Sequence, residues 1–140
     1  MELAEVPAPA RIATHLGLRE GSPVFKRYRR VFVDEVPNQV AASYYRPEIV
    51  GGTAVIERDT GPGGSYARLE EAGYTLTDFH EEVTARMPTP DEVRLLRLPV
   101  GTPVMCVLRI ARSGDQVVEV FESVVNANMI VFTNDFRAPE

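Results

Sequence analysis

The 140-residue sequence predicts an α+β domain built on an antiparallel sheet of about six strands with three short helices. Three observations carry that expectation. A phrase occurs twice: L-G-L-R-E-G-S-P-V at residues 16–24 returns as L-R-L-P-V-G-T-P-V at 96–104. At the same offset of 80, Leu16/Leu96, Leu18/Leu98, Gly21/Gly101, Pro23/Pro103, Val24/Val104, Arg29/Arg109, Val40/Val120 and Ser43/Ser123 are identical. A solenoid would stack at least three units of roughly 20 to 50 residues, so two long copies point to a duplicated half-domain with an internal two-fold pseudo-repeat. Second, a hairpin pattern follows each phrase. Third, a short helix pattern precedes each one.

Residues 8–16 read as a helix with Ile12, Ala13 and Leu16 on one side, ended by Gly17 as a left-handed cap. The Gly-Ser-Pro-Val turn launches a strand over 24–33, rich in β-branched and aromatic residues; Asp34-Glu35-Val36-Pro37 has turn chemistry, and 39–45 runs back as a second strand. The second copy opens with Thr89 as helix cap, Pro90 in the first helical position and Glu92 completing a capping box. Gly101-Thr102-Pro103 then launches a strand over 104–111, which turns at Ser113-Gly114-Asp115 into 117–125. Between the copies lie a Gly-rich connection, a helix over about 65–72 and an extended segment over about 75–86, and residues 129–136 read as a last strand. V-M-C-V-L at 104–108 is apolar on both faces, which places that strand centrally.

Length and composition suit one compact domain, and no apolar run approaches the roughly 20 residues of a membrane span. The first ten residues lack the cationic start and apolar centre of a secretory signal, so the expected location is the cytoplasm. The single cysteine, Cys106, fits a reducing compartment and reads as a core thiol. A formal net charge of −5 disfavours this domain as a nucleic-acid surface, the run Lys26-Arg27-Tyr28-Arg29-Arg30 being the local exception. His15 and His80 stand far apart and no metal-ligand spacing exists, so neither a metal nor another cofactor is expected.

Candidate functional residues come from burial and alternation. Glu119 sits in V-V-E-V-F, and a carboxylate buried there needs a cationic or hydrogen-bonding partner. Alternation puts Glu119, Phe121, Ser123 and Val125 on one face and Gln39, Ala41, Ser43 and Tyr45 on the corresponding face of the first copy. Arg29 and Arg109 are the natural counter-charges, Arg109 as the candidate for a structural ion pair. A structural pair and a ligand-contacting role both remain open for Glu119. The stretch T-G-P-G-G-S ahead of a helix, with Gly63, Gly64, Ser65 and then Tyr66, offers backbone N–H groups to an anion or serves as a plain connection. It lacks the lysine and spacing of a nucleotide-binding loop. Glu82 and Arg86 are further ligand candidates, the alternative being a solvated strand face.

Several stretches, in this order and spacing, carry a family resemblance: L-G-L-R-E-G-S-P-V-F, R-Y-R-R-V-F with S-Y-Y-R-P, G-G-S-Y-A-R-L-E-E-A-G, E-E-V-T-A-R-M-P-T-P-D-E and V-V-E-V-F-E-S-V. From about Arg11 to Phe136 the chain resembles the UTRA effector-binding domain of GntR-type transcriptional regulators of the HutC subfamily. The resemblance implies a chorismate-lyase-like fold over residues 11–140, with 1–10 as linker or leader, that binds a small-molecule effector and forms a homodimer. It also implies that operator DNA is contacted only through a winged-helix domain missing from this chain, and that no membrane is involved. Arg29 matches an arginine that contacts anionic effectors in sugar-phosphate-sensing members, Tyr66 the tyrosine opening the middle helix, and Glu119 a ligand-contacting acid. Val31, Gly64, Ala41 and Val125 stand where those members carry polar anchors. A carboxylate-bearing effector with apolar surface is therefore expected rather than a sugar phosphate. The alternatives are a chorismate-lyase-like enzyme, although no acid, base or nucleophile set is evident, and a stand-alone ligand-binding or dimerisation module.

Overall fold

A computed structural model describes residues 1–139; the expected domain end at Glu140 lies outside the described residues. The first half runs β1 (Glu2–Pro7), α1 (Ala10–Leu16), β2 (Pro23–Val33) and β3 (Val36–Tyr45). A connection follows with the one-turn helix α2 (Pro47–Val50), a 3-10 turn at Ala54–Ile56 and helix α3 (Gly64–Glu71). The second half repeats the pattern as β4 (Asp78–Arg86), α4 (Pro90–Leu96), β5 (Val104–Ser113) and β6 (Gln116–Asn126), before a 3-10 turn at Ala127–Met129.

The repeat is visible in the backbone at a constant offset of 80. Helices α1 and α4 start and stop at equivalent positions. Each ends on a left-handed residue, Gly17 (φ 69°) and Arg97 (φ 50°), and each following turn passes through a glycine of positive φ, Gly21 and Gly101. Both hairpins also shift register at equivalent places, Val31/Phe32 and Ala111/Arg112. The six strands form one antiparallel sheet in the order β1-β2-β3-β6-β5-β4, so the halves meet at β3 and β6.

Apolar residues on one face of the sheet form two clusters. Ile12, Ala13 and Leu16 of α1 pack on Val24, Tyr44, Ile110 and Val120, while Leu96 of α4 packs with Leu98 on Val40 and Val104. On the opposite face the connection between the halves lies over the sheet, with Ile49, Val50, Val55 and Leu69 against Tyr45, Ala111 and Val118.

Four sequence expectations change. Residues 2–7, expected as linker, form β1, paired from Glu2↔Tyr28 to Pro7↔Pro23; an edge position and a terminal Pro7 reconcile proline with a strand. Residues 129–136 form no strand: the Asn126 side chain accepts the Asn128 N–H, the chain turns, and 130–139 carry no regular structure. Strand β5 is next to the edge rather than central, because β3 and β6 occupy the middle. Helix α2 adds a fourth short helix, opened by Pro47. The basic run 26–30 is divided between the two faces: Arg27 is buried, the Lys26 ammonium lies 5.3 Å from the Tyr28 ring centre, and Arg30 donates to the Leu95 carbonyl. It therefore presents no continuous cationic stripe.

The two helix ends generate a test. A non-glycine left-handed residue costs roughly 1–2 kcal/mol in an L-amino-acid chain. Arg97→Gly is expected to stabilise the fold by about 0.5–1 kcal/mol. Thr89→Ala removes a capping box whose two bonds measure 3.3 Å and 2.9 Å, and is expected to cost about 1 kcal/mol. Urea unfolding of the two variants checks both signs.

Candidate functional site

The face carrying α3 holds a cleft of about 310 Å³ between the sheet and the amino end of that helix. Its floor follows the strand register: Ser43 of β3 lies opposite Phe121 of β6, which lies opposite Arg109 of β5, and Arg29 of β2 stands in the next row opposite Ala41. Gly63, Gly64, Ser65 and Tyr66 form the facing wall, and Glu119 closes one end.

The wall is held by backbone carbonyls captured from below and from within. Arg27, buried among apolar groups, donates to the carbonyls of Val55 (2.6 Å) and Glu57. Arg68 donates to those of Thr60 and Pro62, each at 3.1 Å. These bonds offset the cost of covering peptide groups that have no ladder partners. Burial holds the Arg27 guanidinium below its usual range. Gly63 caps α3 at φ 85°, and a Cβ there would stand 2.7 Å from the Ala67 Cβ, so the chain turns this tightly into its own helix only with glycine at this position.

Glu119 is 4 % exposed. Its Oε2 accepts the Tyr45 hydroxyl at 2.7 Å and its Oε1 accepts the Tyr66 hydroxyl at 2.9 Å. Two phenol donors to a carboxylate are strong charge-assisted bonds, which is how the strand tolerates a buried acid without an ion pair. The expected counter-charges are not its partners. Arg109 pairs with Glu81 at 3.3 Å and lies 5.8 Å from the Phe121 ring centre, while Arg29 makes no salt bridge or side-chain hydrogen bond among the described residues. Burial, and then the Glu119 charge, push the Tyr45 hydroxyl well above the usual phenol range and the Tyr66 hydroxyl up to about 12. Both phenols therefore remain donors at neutral pH.

Of the ligand candidates, Arg29, Ser43, Gly63, Gly64, Ser65, Tyr66 and Glu119 converge on this cleft. Glu82, Arg86 and Ser123 do not; Glu82 and Arg86 border a groove of about 620 Å³ on the opposite face, between α1 and α4, and the buried Ser123 is reached from that groove although it shares the strand parity of Phe121. The reason is strand parity for Glu82 and Arg86, which share the face of α4, where Arg86 grips Glu92 through bonds of 2.7 Å and 2.8 Å. That groove is larger; of its cations Arg11 is bound to Glu122 at 2.5 Å and Arg86 to Glu92, and Lys26 lies against the Tyr28 and Tyr44 rings. The smaller cleft gathers Arg29, Glu119, Ser43, Ser65 and the amino end of α3 around one volume. Sequence reasoning missed the cleft roles of Arg109 and Phe121 and the Tyr45 bond, although alternation already put Phe121 and Tyr45 on the face of Glu119 and Ser43. Of the four departures from the polar pattern only Gly64 lines the cleft; Ala41 and Val125 are buried away from it. Among the described residues no cluster of His, Cys, Asp or Glu could hold a metal ion, and no helix is long and apolar enough to cross a membrane.

The UTRA domain family matches residues 1–130. An uncharacterized HTH-type transcriptional regulator of Streptomyces coelicolor is 37% identical over 142 residues; the match covers 99% of this chain, which spans 53% of that relative's length. Among solved structures, the C-terminal domain of the histidine utilization repressor from Pseudomonas syringae pv. tomato is similar with a TM-score of 0.84 and 25% identity, covering 99% of this chain and 96% of that one. The effector domain of PhnF from Mycobacterium smegmatis has the same fold, with a TM-score of 0.83, 20% identity and coverage of 99% and 85%. These relatives are a transcriptional regulator, the C-terminal domain of a repressor and an effector domain, which supports the regulator reading over the chorismate-lyase-like enzyme.

The phenol–carboxylate contact predicts an alkaline response. Both raised phenols contribute stability that is full below the ordinary tyrosine pKa of about 10 and is lost as pH rises through the raised values. Glu119→Gln removes the charge that opposes phenolate formation while leaving burial in place. It should move the Tyr66 ionisation down from about 12, read by ultraviolet absorbance during alkaline titration against Tyr66→Phe.

Proposed function

Because the chain belongs to the UTRA domain family, we propose that it is the small-molecule-sensing and dimerising part of a GntR-type transcriptional regulator, working in the cytoplasm. Operator DNA would be engaged by a winged-helix segment outside these 140 residues. The observation that carries the effector reading is Arg29, which lines the cleft without a salt bridge or side-chain hydrogen bond among the described residues, in the company of Ser43, Ser65 and the amino end of α3.

The cleft suits one carboxylate on an otherwise apolar molecule. Arg29 supplies the cation, the N–H groups at the start of α3 add donors, and the rings of Phe121 and Tyr66 supply apolar wall. The Glu119 carboxylate at one end of the cleft repels negative charge beside it, which costs a doubly charged sugar phosphate more than a singly charged carboxylate. The signal is linkage: an effector shifts operator affinity only if it binds one arrangement of the full-length dimer more tightly than another.

Thermal-shift and calorimetric titration with aromatic and aliphatic carboxylates and with sugar phosphates tests the reading. The carboxylates should raise the melting temperature in a dose-dependent way, since a ligand of the folded state stabilises it by mass action. Arg29→Ala should weaken their binding by about tenfold or more. Tighter binding of sugar phosphates, or carboxylate binding unaffected by Arg29→Ala, overturns it.

A further inference from the structure

The cleft holds two opposite charges that do not meet. Glu119 is 4 % exposed and takes part in no salt bridge among the described residues; both of its side-chain bonds come from neutral phenols. A carboxylate withdrawn from water without a cation beside it is costly to keep, and two hydroxyls fill only half of the roughly four acceptor positions its oxygens offer. Those oxygens are also unequal. Oε2 is sealed by Tyr45, which is 0 % exposed, whereas Oε1 is bound by Tyr66, itself part of the cleft lining. Arg29 lines the same cavity and likewise has no salt bridge or side-chain hydrogen bond among the described residues. The strand register keeps the two apart: Arg29 stands opposite Ala41 and Ala41 opposite Ser123, so Glu119 lies two strands over and four residues along. At about 3.3 Å per residue and about 4.8 Å per strand, their Cα atoms are about 16 Å apart. The third charge on the lining, Arg109, is already offset by Glu81 at 3.3 Å.

We infer that the ligand of this cleft is a zwitterion: a carboxylate, held at Arg29, that also carries an ammonium or similar N–H cation, held at Glu119 Oε1 beside the Tyr66 hydroxyl. The inference rests on the effector reading of the cleft and adds the ligand's second charge. A plain carboxylate neutralises Arg29 and leaves Glu119 without a counter-ion. A dianion adds repulsion at the Glu119 end, and a plain amine leaves Arg29 unmatched. A molecule with both charges compensates both ends, and each hydrogen bond it makes there is charge-assisted. Separation selects as well, because two anchors too distant to pair directly require a ligand frame between them. Its apolar part then meets Phe121 and Tyr66, and a cavity of about 310 Å³, at the small end of ligand pockets, suits a molecule of amino-acid size.

Calorimetric titration of the 140-residue chain with matched pairs at neutral pH tests this. The pairs are phenylalanine against 3-phenylpropanoate, 4-aminobutanoate against butanoate, and 6-aminohexanoate against hexanoate, the members of each differing by one ammonium group. In at least one pair the amino member should bind about tenfold or more tighter. Glu119→Gln, which keeps the size of the side chain and removes its charge, should abolish that preference without weakening the plain carboxylate, whereas Arg29→Ala should weaken both members. Plain carboxylates that bind as tightly as their amino partners in every pair overturn the inference and leave the effector reading standing. A preference that survives Glu119→Gln overturns it too. Binding by no member of any pair overturns the carboxylate reading beneath it as well. The comparison within pairs needs only the unaltered chain, so it decides the matter even where Glu119→Gln fails to fold.

Discussion

The pairing of β3 with β6 is the constraint on which everything else in this molecule depends. Each half is a three-stranded sheet with one helix across it, and the halves join through the ladder from Gln39↔Val125 to Tyr44↔Val120. That ladder is central and buried, with Val40, Ala41, Ala42, Ser43, Tyr44 and Val120 all largely withdrawn from solvent. It fuses two clusters under α1 and α4 into a continuous layer and creates the opposite face on which the connecting segment lies. It also brings Tyr45 beside Glu119, so the most costly buried group in the protein gains its donor from the same join. Weakening the ladder would separate the halves and expose a carboxylate-bearing core together.

The cleft shows how a duplicated scaffold acquires a specific site. Arg29 and Arg109 occupy equivalent positions in the two halves and both border one cavity, yet their surroundings differ. Arg109 is balanced by Glu81 and flanked by Phe79 and Phe121, whereas Arg29 makes no salt bridge or side-chain hydrogen bond among the described residues. The difference arises at the outer strands: Arg109 faces Glu81 across the β4–β5 pair, whereas β1 pairs with β2 only from Glu2↔Tyr28 to Pro7↔Pro23 and sets no residue opposite Arg29. Local symmetry supplied two cations, and the unequal outer strands distinguished them.

Much of this was legible in the residues. The offset of 80 located both helices and both hairpins, because Gly17, Gly21, Gly101 and the proline turns are local signals that act within a few residues. Strand β1 escaped because M-E-L-A-E-V-P has two acids and a closing proline, and only its pairing with β2 makes it a strand. The repeat contained the hint, since β4 precedes α4 as β1 precedes α1. V-F-T-N near the end alternates like a strand but has no partner in the fold, so alternation alone misled. Within the site, period-2 parity correctly grouped Ser43, Phe121 and Glu119, and the same parity applied to β4 would have removed Glu82 and Arg86 from the cleft. The partners of Glu119 were not legible, because one phenol comes from the neighbouring strand and the other across the sheet from α3, and such distances are set only by tertiary packing.

The single cover over a doubled sheet has a stoichiometric consequence. The duplication generates two hairpins, but the connecting segment that walls the cleft exists once per chain and spans the region where the halves meet. Among the described residues this segment walls one recess rather than a related pair, so two equivalent recesses walled in this way belong to two chains.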